Sequence, residues 1–356
     1  MIDPTALLDQ PPLLPEELVA VEQRMARLLG TRGDVVIFPG EAILGLEATI
    51  ASIAGAGRTV LNIVTGPYGK RFGAWFRHRG SAVEEVTVAD HLVAAADVIA
   101  EAIRVHRPQV LAIVQAEAAT GGSNPLGDIM AAARAAGIVT LVDAVSAVGA
   151  EPVDADGWGA DFVAIGPQKG VAGPAGISAV SVSERGWNLI EANPTAPRNS
   201  SLSLLDWREG WLRTDRTRIP GVPPWLEARA FIAAADRLQR EGLGDAHLRH
   251  RKSSAAAVAG VEALGLTPWQ SMPEARAPIV TTVRVPEGTT LRESDLGGIV
   301  SAGDGDLRGA LIRVNHFGRN ASWIAVEQAI GSLASTLGVP PVGAVEVART
   351  HWETCE

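Results

Sequence analysis

A chain of 356 residues, 47% apolar and 20% charged, carries enough core-forming material for two ordinary globular domains. Its net charge of −9 and pI near 5.4 argue against nucleic-acid or anionic-membrane partners, which require clustered cations. The single cysteine, Cys355, excludes an intrachain disulfide and fits a cytoplasmic protein, as does the absence of a secretory signal or an eighteen-residue apolar run.

In chain order, Pro15–Leu29 reads as a helix, with Pro15 in its first turn and Glu16-Glu17 complementing its dipole. From residue 34 to about 182, short β-branched runs alternate with alanine-rich stretches. Strands are predicted over 35–38, 60–64, 110–114, 139–142, 161–165 and 177–182, and helices over 42–53, 90–105 and 126–136. Strands apolar on both faces that alternate with helices predict a mostly parallel sheet sandwiched between helices. Residues 190–224, rich in Pro, Asn, Ser, Arg and Trp, read as a long ordered surface excursion. Residues 225–264 are helical in pattern, with a division at Gly242-Leu243-Gly244. A smaller α+β unit then has strands over 279–285 and 310–315, a helix-like stretch over 291–300 and a closing helix over 323–337. The boundary is expected near residue 238, giving a large domain over 1–238 and a small domain over 239–356.

Of 31 basic residues only three are lysines, Lys70, Lys169 and Lys252. Lys70 and Lys252 stand beside arginines in polar stretches, as solvated cations do. Lys169 instead follows the apolar run 161–165 within Gly166-Pro167-Gln168-Lys169-Gly170, presented by a constrained turn. An amine can deprotonate and attack a carbonyl, whereas a guanidinium stays charged.

Ligands of open α/β sheets bind beyond the carboxyl ends of the strands. Asp143 ends one strand, Thr120-Gly121-Gly122 follows another, Gly40-Glu41 opens the helix after the first, and Gly66-Pro67-Tyr68-Gly69 forms a glycine-flanked turn bearing the only tyrosine. Each has a structural alternative: a helix cap, a plain turn, a dipole partner and a packing aromatic. Together with Lys169 they match the needs of chemistry on an amine carried by a pyridine aldehyde. Such chemistry uses a lysine for the Schiff base and α-proton, a carboxylate for the ring nitrogen and an aromatic on the ring face. Arg313, within the apolar strand over 310–315, is the candidate for a substrate carboxylate; its alternative is a buried arginine satisfied by a structural carboxylate. No metal-ligand set is identified.

The span from Val142-Asp143-Ala144-Val145-Ser146 through Gly166-Pro167-Gln168-Lys169 to Pro174-Ala175-Gly176, with Arg313-Val314-Asn315-His316-Phe317-Gly318, resembles the class V aminotransferase family of fold-type I pyridoxal-phosphate enzymes. The resemblance covers roughly residues 34–338. It implies a homodimer with shared active sites, Lys169 as Schiff-base residue and acid/base, Asp143 at the ring nitrogen, Tyr68 stacked on the ring and Arg313 on the substrate carboxylate. Thr120 and Gln168 join the B6-binding set.

The segments 40–48, 66–72, 183–187 and 192–198 are similar to members of the family that use free pyridoxamine and pyridoxal as substrates. The implied function is transfer of an amino group between pyridoxamine, or a related B6 form, and a small 2-oxo acid. Glu41 agrees with this: a carboxylate at that helix start repels a phosphate but accepts a hydrogen bond from a hydroxymethyl group. Three departures accompany the resemblance. Only about 33 residues precede the first strand, Asp304 stands where such members carry a second substrate-binding arginine, and Arg218 falls where phosphate-binding relatives reach into the neighbouring subunit's site. The alternatives are an alanine–glyoxylate type aminotransferase with bound pyridoxal 5'-phosphate, a lyase on the same scaffold and a non-catalytic B6-binding protein.

Overall fold

In the computed structural model, residues 10–219, 221, 223–288 and 296–355 are described. The chain opens with α1 (Pro15–Leu29), where Glu17 accepts a hydrogen bond from the Leu14 amide at 2.9 Å and Leu18, Val21, Met25, Leu28 and Leu29 form the buried stripe. There follow β1 (Asp34–Phe38), α2 (Ala42–Ile53), β2 (Thr59–Val64), α3 (Pro67–His78), β3 (Ala82–Thr87), α4 (Ala96–His106) and β4 (Val110–Val114). A small hairpin of β5 (Ala116–Glu117) and β6 (Gly122–Ser123) leads to α5 (Leu126–Ala135), β7 (Val139–Asp143), the short α6 (Ala155–Trp158), β8 (Phe162–Ile165), β9 (Ser178–Val182) and α7 (Glu184–Glu191). Beyond them lie α8 (Leu204–Trp207), a π turn over Arg208–Leu212, α9 (Trp225–Glu241) and α10 (Leu243–Ala263). The chain closes with β10 (Thr281–Arg284), β11 (Val300–Ala302), β12 (Leu311–Val314), α11 (Trp323–Leu337) and α12 (Val342–Thr354).

The seven-stranded sheet has the order β1-β9-β8-β7-β4-β2-β3. Its central pairs are parallel, while β9 runs antiparallel to both β1 and β8. Every residue of β4, β7, β8 and β9 is buried, which explains why these strands read as continuous apolar runs. Truncating one of their fully buried side chains, as in Ile113→Ala, is expected to destabilise the fold by about 2–5 kcal/mol. Helices cover both faces, so the carboxyl ends of the parallel strands provide the open edge that a ligand can reach.

The predicted elements and the observed ones differ in instructive places. The edge strand β3, with Glu84 and Glu85 in its centre, lacks the apolar pattern because most of its residues stay exposed. The glycine-flanked turn expected around Tyr68 is the first turn of α3. Gly69 belongs there because a Cβ would lie 2.8 Å from the Ile63 carbonyl oxygen, so this helix start packs directly on β2. The helix predicted from residue 90 begins only at Ala96.

Residues 190–224 are more than a surface excursion: Leu204 and Trp211 are fully buried within them. Position 238 falls in the last turn of α9, and Gly242 (φ 92°) turns the chain into α10. In the second unit, β12 pairs antiparallel with both β10 and β11, and α10, α11 and α12 pack against this sheet. The helix-like stretch over 291–300 lies in part outside the described residues, and its last residue, Val300, begins β11.

Candidate functional site

Lys169 sits on the turn that follows β8. The turn is tightly closed: the Gly173 amide donates to the Pro167 carbonyl at 2.7 Å and the Ala172 amide to the Lys169 carbonyl at 2.9 Å. Ala172 takes a left-handed conformation (φ 53°), a strain an alanine adopts only when its surroundings impose it. Arg237 from α9 holds this stretch by donating to the Val171 and Ala172 carbonyls at 2.8 and 3.3 Å. The amine is thereby aimed inward, donating to Ser146 Oγ at 2.7 Å with its nitrogen 5.8 Å from the centre of the Tyr68 ring. Burial pushes its pKa down, against the opposing pull of Asp143, Glu117 and Glu41, so neutral amine is more available than on a solvated lysine.

Asp143 ends β7, the strand beside β8, and is buried. Its Oδ1 accepts from the Val145 amide at 2.9 Å. Burial raises its pKa to about 6, with the Val145 amide and Lys169 pulling the other way. A second carboxylate, Glu117 of β5, is also fully buried and lies over Gly66, where any Cβ would collide with its carboxyl group. Neither Glu117 oxygen accepts a hydrogen bond of good geometry, although the nearby Gly69 amide favours the charged form. Burial, together with the Asp143 charge, raises its pKa to about 8. Of the two carboxyls, Glu117 therefore holds its proton more tightly than Asp143.

Tyr68 projects from the start of α3 with Arg71 5.7 Å from its ring centre, and burial pushes its phenol pKa up. Asn62, buried in β2, donates to the Gly69 carbonyl at 2.8 Å and so ties this helix start to the sheet. Thr120 is buried after β5, its Oγ1 donating to the Thr65 carbonyl at 3.4 Å. Glu41 caps α2, one oxygen accepting from the Ile43 amide at 3.0 Å and the other from Gln168 Nε2 at 2.8 Å. The Gln168 Oε1 atom is buried without a partner. Arg218 lies exposed on the segment before α9, and the side-chain partner of Glu41 is Gln168.

Arg313 reaches the site from the second sheet. It stands in register between Thr282 of β10 and Ser301 of β11, and Thr282 Oγ1 donates to the Thr120 carbonyl at 2.8 Å, joining the two sheets. The guanidinium is already engaged. Its Nη1 and Nη2 donate to Asp304 at 2.6 and 3.2 Å, while Nε is buried without a partner. Below it, His316 Nε2 lies 2.8 Å from Thr281 Oγ1, and burial lowers its pKa to about 3. His250 Nε2 accepts from the Gly318 amide at 3.0 Å; its pKa is about 4, again through burial, so both imidazoles are neutral props for this strand end.

The structure thus brings Lys169, Asp143, Tyr68, Glu41 and Gln168 together, places Thr120 in the adjoining loop and leaves Arg218 apart on an exposed stretch. Sequence reasoning misses Glu117 and Ser146. A lone glutamate in the small-residue run Ala116-Glu117-Ala118-Ala119 was the available signal for the first, and the place of Ser146 in the segment 142–146 was the signal for the second. Buried atoms of Glu117, Gln168 and Arg313 lack hydrogen-bond partners, and Glu117 and Arg313 both lie close enough to act electrostatically on Lys169. That set of unsatisfied donors and acceptors fits a small polar ligand with a flat ring.

Comparison with known proteins identifies the family. The family profile for class-V aminotransferases matches residues 21–299. The chain is 33% identical over 344 residues to the pyridoxamine–pyruvate transaminase of Mesorhizobium japonicum, covering 94% of this chain and 86% of that protein. It is 27% identical to the alanine–glyoxylate aminotransferase of Drosophila melanogaster over 84% of this chain and 78% of that one. The crystal structure of pyridoxamine–pyruvate aminotransferase from Mesorhizobium loti superposes with a TM-score of 0.90 at 30% identity, covering 99% of this chain and 94% of that one. The chain belongs to the class-V aminotransferase family and is an enzyme of fold type I.

Proposed function

We propose that this class-V aminotransferase moves an amino group between pyridoxamine, or a related B6 form, and a small 2-oxo acid. The observation that carries the reading is the part-buried amine of Lys169, 2.7 Å from Ser146 Oγ, facing the Tyr68 ring and close enough to Asp143 to feel its charge. A bound B6 compound supplies a carbonyl or amine carbon for exchange and a pyridine ring that withdraws electrons. In this reading Tyr68 covers the ring face, Thr120 lines its edge and the ionised Asp143 keeps the ring nitrogen protonated. Lys169 takes and returns the proton at the reacting carbon, with Ser146 holding the amine in line between transfers. Arg313 holds the acid's carboxylate.

Glu41 favours the unphosphorylated ring. Fixed by Ile43 and Gln168 at the start of α2, its carboxylate repels a phosphate and accepts a hydrogen bond from a hydroxymethyl group. We further assign Arg218, exposed on the segment before α9, to a homodimer interface. Among the described residues, no helix is long and apolar enough to cross a membrane; a cytoplasmic location remains part of the proposal.

The purified protein, incubated with pyridoxamine and pyruvate, is expected to release pyridoxal. Borohydride reduction in the presence of pyridoxal should label Lys169 on peptide mapping. A label on any other residue overturns the assignment, and a phosphate ester that co-purifies with the protein overturns the free-vitamin reading.

A further inference from the structure

The proposed carboxylate-binding arginine is occupied by the protein itself. Asp304 approaches Arg313 end-on, engaging Nη1 and Nη2 much as an incoming carboxylate would. The two partners differ sharply in environment: the Arg313 side chain is 16% exposed, the Asp304 side chain 69%. A structural ion pair of the interior would bury both charges. Here one buried cation is covered by a solvent-facing acid from the turn Gly303-Asp304-Gly305, between β11 and β12.

We infer that Asp304 is a specificity-determining residue, an internal carboxylate that occupies Arg313 and that the 2-oxo acid must displace to bind. This rests on the reading of Arg313 as the residue that holds the substrate carboxylate. Three features make displacement feasible. The backbone of the turn is held independently of the ion pair, by the Gly303 amide donating to the Leu311 carbonyl at 2.9 Å and the Leu307 amide to the Asp304 carbonyl at 3.0 Å. Rotation of the Asp304 side chain alone therefore frees the guanidinium. Next to the pair lies a cavity of about 470 Å³ lined by Val300, Ser301, Asp304, Arg308 and Arg313, which offers room for the displaced side chain. Finally, Asp304 faces solvent, so an incoming anion can approach its end of the pair and water can take up the displaced carboxylate. The consequence is selective. The internal acid raises the concentration of monocarboxylate acceptor needed for half-saturation and leaves the B6 half of the site untouched.

Asp304→Asn tests this, because it preserves size and the turn while removing the charge. The KM for pyruvate is expected to fall about three- to fivefold, with kcat and the KM for pyridoxamine unchanged. The Kd of propionate, a carboxylate that cannot react, measured by calorimetry on the purified protein, should fall by the same factor. Arg313→Gln serves as the control and should raise both constants at least about tenfold. If that control behaves as stated while Asp304→Asn leaves the constants unchanged or raises them, the internal competitor is refuted and the role of Arg313 stands. If Arg313→Gln changes neither constant, the reading of Arg313 fails and the inference fails with it.

Discussion

The two domains hold their charged groups at the site in different ways. From the large domain come Asp143 at the end of β7, Glu117 on the β5–β6 hairpin and Lys169 on the turn after β8, all with shifted pKa values; both acids are buried, and both Glu117 oxygens lack hydrogen-bond partners. From the small sheet comes Arg313, paired with an acid that faces solvent. Desolvated groups that shift one another are arranged before the ligand arrives, and their unsatisfied valences are the imprint of what is to be bound. An ion pair whose acid faces solvent is adjustable and can be exchanged for a substrate's own charge. The chemistry is thus expected to be rigid on one side of the site and its selectivity adjustable on the other.

Substitutions can break that contrast. In the large-sheet half, changes should reduce turnover with every acceptor. Lys169→Ala is expected to lower kcat by at least about a thousandfold and to abolish borohydride labelling, as read by steady-state assay and mass spectrometry. A residual rate within tenfold of the parent protein would remove the lysine from the chemistry. Asp143→Asn should follow with a loss of about a hundredfold. Because Asp143 ionises near pH 6 in the free protein, kcat/KM should rise with pH through about 6 in the parent, and that limb should vanish in the variant. Tyr68 acts through its ring in this account, so Tyr68→Phe should stay within about threefold of the parent while Tyr68→Ala costs about tenfold in kcat/KM.

The smallest effect sharpens the comparison through stability. The fold favours the neutral form of Glu117, with its pKa raised to about 8. Its contribution is therefore fully present below the unfolded value near 4.5 and is lost as pH rises through about 8. Glu117→Gln cannot ionise, so it should unfold at a higher temperature than the parent at pH 9 and at nearly the same temperature at pH 5. The gain at alkaline pH should amount to about 2–4 kcal/mol. Equal melting curves at pH 9 would mean that this carboxyl is not desolvated as described.

Much of the fold was legible because its signals are local. The apolar runs of β4, β7 and β8 follow from burial on both faces, and the division at Gly242 from a backbone angle that glycine tolerates. The edge strand β3 escaped because nothing buries it, and the helical context of Tyr68 escaped because Gly66 and Gly69 look like turn residues. Their purpose appears only where Glu117 and β2 come within contact distance. In the site, the scarcity of lysine and the strand-end position of Asp143 drew attention to residues that the fold brings close together. No pattern announced that Glu117 would be buried beside them.

By itself, then, the sequence determined the alternation of strands and helices and the unusual amine at position 169, because periodicity and composition are properties of neighbouring residues. Only the tertiary structure decided that Glu117 is desolvated over Gly66, that Arg237 closes the lysine turn from 65 residues away or more, and that Asp304 covers Arg313. Burial and pairing depend on which segments meet in space. That meeting is what turns ordinary acids and bases into shifted, competing or displaceable ones.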